Sequence, residues 1–104
     1  MDNIYWKNFI DTENEVKGIA IVKKGFKAKL HKHEELEEYH FIYGKGKLYK
    51  DGKITIIESP KKIIIDSNIV HAMTPISDIV ILLYVFNKGS FKSIKYTYLN
   101  KFLE

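Results

Sequence analysis

Apolar positions along this chain fall into short runs separated by glycines, and the runs favour β-branched residues over helical spacing. Residues 18–22 form one such run, closed by Lys23-Lys24-Gly25. Residues 39–43 form another, ending at Gly44-Lys45-Gly46. Residues 47–50 and 53–57 flank Asp51-Gly52, a dipeptide that turns two-residue hairpins because both positions accept positive φ. Residues 63–65 are a short isoleucine run, and the apolar stretch 79–86 reads as a strand buried on both faces. Residues 90–99 alternate, with Phe91, Ser93, Lys95 and Thr97 on one face and Lys92, Ile94, Tyr96 and Tyr98 on the other. No apolar stripe of helical period extends beyond a turn or two. Helix is expected only near the ends: residues 11–15 have a helix-start composition, and residues 99–104 would add a final turn. Closely spaced short strands with turn signals between them predict an all-β sandwich or barrel. At 104 residues the chain is expected to be one domain, residues 1–104.

Composition narrows the chemistry. The 17 basic residues are all lysine and stand against 13 acidic ones, a net charge of +4. Isoleucine, with 16 residues, is nearly as abundant, as an AT-rich coding sequence would produce, so the charge carries little functional weight. The chain has no cysteine, which excludes disulfides, thiol nucleophiles and thiolate-bound metal. It has no arginine, so it offers no bidentate guanidinium clamp for phosphate or guanine. The lysines are spread along the whole chain, and nucleic acid is not an expected partner. The longest apolar run is too short to cross a bilayer, and the first residues lack a basic segment followed by an apolar one. The expectation is a soluble cytoplasmic protein with no membrane partner.

The candidate chemistry lies between Gly25 and Gly44. His31 and His33 are two residues apart, so on a strand both imidazoles share a face and can meet one metal ion. Glu37 follows four residues later, and a turn between two antiparallel strands would bring it opposite the histidine pair. Two imidazoles and a carboxylate suit divalent Fe, Mn, Ni, Zn or Cu rather than Ca or Mg. The same residues also suit a solvated strand end beside a solubilising acidic turn. Three of the four histidines lie within ten residues, with carboxylates among them, which favours the metal.

The full spacing is more specific. Gly25, five residues, His31, one residue, His33, three residues, Glu37, six residues and Gly44 resembles the first motif of the cupin superfamily without a gap. The second motif of that superfamily, laid over the chain with His71 fixed, falls on Pro60, Asp66, Asn68, His71 and Pro75, and retains only the histidine. Asn68 replaces a glycine and is among the residues that tolerate positive φ. The resemblance covers roughly residues 18–86. It implies an all-β double-stranded β-helix, the jelly-roll barrel of cupins. It also implies a divalent transition metal held by His31, His33, Glu37 and His71, with one or two positions open to substrate.

Strand parity extends this picture. Tyr39 and Phe41 share the face of Glu37, whereas Glu38 and His40 point the other way. Tyr39 is a candidate catalytic proton donor. Lys29 shares parity with His31 and is a candidate partner for an anionic substrate group. The resemblance implies a metalloenzyme acting on a small polar molecule, of dioxygenase, lyase or isomerase type. The alternatives are a non-enzymatic cupin that senses a metal or small molecule, and a sugar isomerase or epimerase. A complete ligand set argues against the metal-free kind of the last. A homodimer is expected, with the aromatic segments at Tyr5-Trp6 and at residues 96–102 covering the barrel or forming the contact.

Overall fold

The computed structural model describes residues 2–104. Ten strands make up nearly all of its regular structure: β1 (Ile4–Asp11), β2 (Val16–Lys23), β3 (Lys29–Lys32), β4 (Glu37–Tyr43), β5 (Lys45–Lys50), β6 (Lys53–Glu58), β7 (Lys61–Ile65), β8 (His71–Pro75), β9 (Ile79–Phe86) and β10 (Thr97–Phe102). They form two five-stranded sheets, ordered β1-β2-β9-β4-β7 and β10-β3-β8-β5-β6. Every neighbouring pair is antiparallel. From β2 onward the chain changes sheet at every connection except the β5–β6 hairpin. This is a jelly roll of two facing sheets, which are not hydrogen-bonded into one continuous barrel. Among the described residues, no helix is long and apolar enough to cross a membrane.

Alternation builds the core. In β2, Val16, Ala20 and Val22 are buried while Lys17, Ile19 and Ile21 are only half-buried. In β9, Val80, Leu82, Tyr84 and Phe86 are buried. The opposite face of β9 is half-buried, so this strand is less enclosed than its continuous apolar sequence suggests. Phe41 of β4 and Leu48, Ile57 and Met73 of the second sheet complete the same cluster.

Turn chemistry fixes the register. Asp51 and Gly52 have φ of 51° and 83°, both positive, and Lys50 pairs with Lys53 across the turn. Gly44 has φ of 91°, and a Cβ there would stand 2.2 Å from the Ile79 carbonyl oxygen. Asn68, at the position where the cupin pattern has glycine, adopts φ of 62°.

Three local expectations are corrected. Residues 11–15 form a tight turn and no helix, because the Thr12 hydroxyl accepts the Asn14 and Glu15 amides, each at 3.2 Å. Residues 99–104 do not form a helical turn: β10 reaches Phe102 and pairs with β3. The alternating stretch 90–99 is not one strand. It starts as a 3-10 turn over Phe91–Ser93, where the Asp11 carboxylate accepts the Phe91 amide at 2.9 Å, and forms a strand only from Thr97.

Candidate metal centre

Three histidines converge where β3 meets β8. His31 lies on β3 directly opposite His71, the first residue of β8. His33 follows one residue beyond the end of β3. Ring centroids are 4.3 Å apart for His31 and His71, 4.9 Å for His33 and His71, and 6.2 Å for His31 and His33. One ring nitrogen from each of the three lies within 4.8 Å of the others.

Each imidazole is oriented by the backbone. His31 Nδ1 donates to the Lys29 carbonyl at 2.9 Å, His33 Nδ1 to the Glu35 carbonyl at 2.9 Å, and His71 Nδ1 to the Ile69 carbonyl at 2.8 Å. A carbonyl only accepts, so each Nδ1 must carry the proton. In a neutral ring that leaves the Nε2 lone pair as the outward donor, which is how metal-binding histidines are usually set.

Glu37 reaches the group from the opposite sheet, at the start of β4, and does not come around a hairpin as the local spacing suggested. Its Oε1 stands 3.0 Å from His33 Nε2 and 3.4 Å from His71 Nε2. The longer contact lacks hydrogen-bond geometry, and His71 Nε2 is buried with no hydrogen-bond partner. All three histidines in the neutral form would aim two lone pairs at a buried carboxylate oxygen. A proton relieves this at one position, and a cation would relieve it at all of them. This donor set therefore fits a divalent transition metal.

The electrostatics show the same competition. Burial pulls the His33 pKa down, but the hydrogen bond and charge of Glu37 outweigh it and leave the value raised. Burial pushes Glu37 up, but His33 and His71 outweigh it and hold the carboxyl below its ordinary value. His31 has no hydrogen bond to a carboxylate. Burial first, and then His71, lower it to about 4. Burial and the nearby Glu37 raise the Tyr39 phenol well above its ordinary value.

A cavity of about 720 Å³ opens onto the centre between the sheets, and His31, Glu37, Tyr39 and Met73 face it. Lys29 also lines it, with Nζ 5.8 Å from the centre of the Phe102 ring. His40 lies outside this space and pairs with Glu38 at 3.0 Å. From the sequence, the aromatic segment 96–102 is expected to cover the barrel or form a dimer contact, but not to reach the metal centre; Tyr96 and Tyr98 stack on each other at 6.1 Å and pack over the histidines. Tyr96 is 5.3 Å from the His33 ring, and Tyr98 is 5.7 Å from the His31 ring. Tyr98 faces His31 across the β10–β3 pair. The alternation at 90–99 places both tyrosines on one face, and neither it nor the aromatic richness of 96–102 says that this face meets the histidines.

No protein-family model matches the sequence, and no curated protein matches it. Similarity appears among solved structures. A salicylate 1,2-dioxygenase from Pseudoaminobacter salicylatoxidans, solved as adducts with gentisate, superposes with a TM-score of 0.85 at 8% identity, over 97% of this chain and 30% of that one. A structure of DMSP lyases superposes with a TM-score of 0.77 at 16% identity, over 90% of this chain and 51% of that one. A conserved Streptococcus pyogenes protein of unknown function gives 0.75 at 14% identity, over 86% and 78%. The chain thus spans 30% of the dioxygenase and about half of the lyase. At such identities the likeness establishes the fold, and the fold is that of a cupin domain.

Proposed function

We propose that this chain holds one divalent transition metal through His31, His33, His71 and Glu37, and acts with it on a small molecule in the adjoining cavity. The observation that carries this reading is the shared orientation of the three imidazoles. Each Nδ1 is tied to a carbonyl, which leaves each Nε2 to face the group, where one ring nitrogen from each histidine lies within 4.8 Å of the others.

When bound, the metal supplies Lewis-acid or redox chemistry of the kind that dioxygenases, lyases and isomerases use. The chain supplies the rest. Tyr39 keeps its phenolic proton at neutral pH and can donate it inside the cavity. Lys29 offers a positive charge two residues from His31 on the same strand face.

The reading is tested by removing metal with a chelator, reloading Fe(II), Mn(II), Ni(II) or Zn(II), and measuring bound metal by mass spectrometry. One metal ion per chain supports it, and failure to retain any metal overturns it. Oxygen uptake by the Fe(II) form would assign dioxygenase chemistry, and turnover without oxygen would assign lyase or isomerase chemistry. Tight ligand binding with no turnover would assign a sensor.

A further inference from the structure

The cavity walls are far more apolar than a small polar substrate needs. Trp6 and Phe91 pack at 5.2 Å on one side, and Phe26, Tyr84 and the stacked Tyr96 and Tyr98 line others. Hydroxyl groups of a sugar-like ligand would face Phe26 and Phe91 without partners, at a cost of roughly 1–3 kcal/mol for each buried unpaired group. The charged features are few. They are His31 of the histidine centre, Glu37 and two lysines, Lys27 and Lys29, and the neutral polar groups are the phenol hydroxyls of Tyr39, Tyr84, Tyr96 and Tyr98.

Those lysines carry the second half of the argument. Among the described residues neither forms an ion pair with a carboxylate, and Lys29, a half-buried residue, places its ammonium 5.8 Å from the centre of the Phe102 ring. Lys29 stands about 7 Å along the strand from His31. A ligand reaching the metal centre with one anionic group passes this ammonium, and its apolar body then lies among the rings.

We propose that the cavity takes an organic monocarboxylate with a flat, largely apolar body: the carboxylate engages Lys29 beside the metal centre, and the body packs between Trp6, Phe26, Phe91 and Tyr96. The volume of about 720 Å³ holds a one- or two-ring molecule comfortably. The proposal rests on the metal-centre reading only for what the carboxylate end meets, because the apolar walls and Lys29 stand independently of it.

Trp6 is the sole tryptophan and lines the cavity, so its fluorescence reports occupancy. The experiment titrates the full chain, metal-free and Zn(II)-loaded, with benzoate, its neutral counterpart benzamide, and the polar diacid succinate, by Trp6 fluorescence and calorimetry. Benzoate is expected to bind about tenfold or more tightly than either other probe, because a charge-assisted contact is worth that much. Lys29→Met should reduce benzoate to the level of benzamide and leave benzamide unchanged. Benzoate binding no tighter than benzamide, or succinate matching benzoate, overturns the proposal. Should Lys29→Met fail to fold, the benzoate and benzamide pair on the unmodified chain decides. Zinc uptake is read separately. Zinc bound without benzoate selectivity sinks this proposal and spares the metal centre, whereas Lys29-dependent benzoate binding without zinc uptake does the reverse.

Discussion

His31 and His71 face each other across the β3–β8 pair with ring centroids 4.3 Å apart, and each donates Nδ1–H to the carbonyl two residues before it. The two strands thus present matched imidazoles from equivalent backbone positions. Both strands are anchored, so the nitrogens are held close before any ligand arrives.

His71→Ala removes the donor that has no partner within the protein. Metal affinity should fall about a hundredfold or more, a larger loss than the one typical of outer-shell partners. The buried ring leaves a small cavity that costs roughly 1–3 kcal/mol of stability, and the fold should survive. Bound-metal analysis with a thermal melt checks both points. Unchanged occupancy would remove His71 from the ligand set.

Glu37→Gln separates the carboxylate from its shape. Glutamine keeps the volume but loses the charge that raises His33 and that would neutralise a cation. Metal binding should weaken about tenfold or more. The His33 pKa should drop toward or below its ordinary value, since burial is then less opposed. Calorimetry and histidine NMR titration read these effects. A Gln variant that binds metal as well as the parent would show that three histidines suffice.

Metal binding should release a proton near neutral pH. His33 has a raised pKa and is protonated over a wider range than a free histidine, whereas His31, lowered to about 4, is already neutral. Affinity should therefore strengthen as pH rises through the His33 value and level off above it. In the metal-free protein the signs separate. The His33 contribution to stability is full below its unfolded value of 6.5 and is lost as pH rises through the raised folded value. The Glu37 contribution is present above 4.5 and is lost as pH falls through its lowered folded value. His31 costs stability as pH falls from 6.5 toward about 4. Binding enthalpies in two buffers of different ionisation heat count the released protons, and none released at pH 6 to 7 would contradict this assignment.

Two glycine substitutions should differ sharply. Gly44→Ala places a Cβ 2.2 Å from the Ile79 carbonyl oxygen at φ of 91°, and should cost about 3 kcal/mol or more by combining backbone strain with a forced shift. Gly52→Ala has φ of 83° but meets nothing within 4 Å, and should cost only about 1–2 kcal/mol. Denaturant unfolding measures both, and equal losses would mean that strain alone governs Gly44.

The sequence alone determined features carried by local geometry. The Asp51-Gly52 turn, the apolar run at 18–22 and the parity of His31 and His33 each depend on a few adjacent residues, so they could be read before any partner strand was known. The resemblance added His71, which no local pattern would single out. Tertiary structure decided the rest, because sheet membership is a long-range matter. β4 pairs with β7 and β9, and β3 pairs with β8 and β10, so Glu37 and the histidines approach from opposite sheets. The same pairing lays β10 beside β3 and brings Tyr96 and Tyr98 over the histidines. It also sets Trp6 on β1 against Phe91, which the chain separates by most of its length. Spacing says which side chains share a face; only the pairing of distant strands says what that face meets.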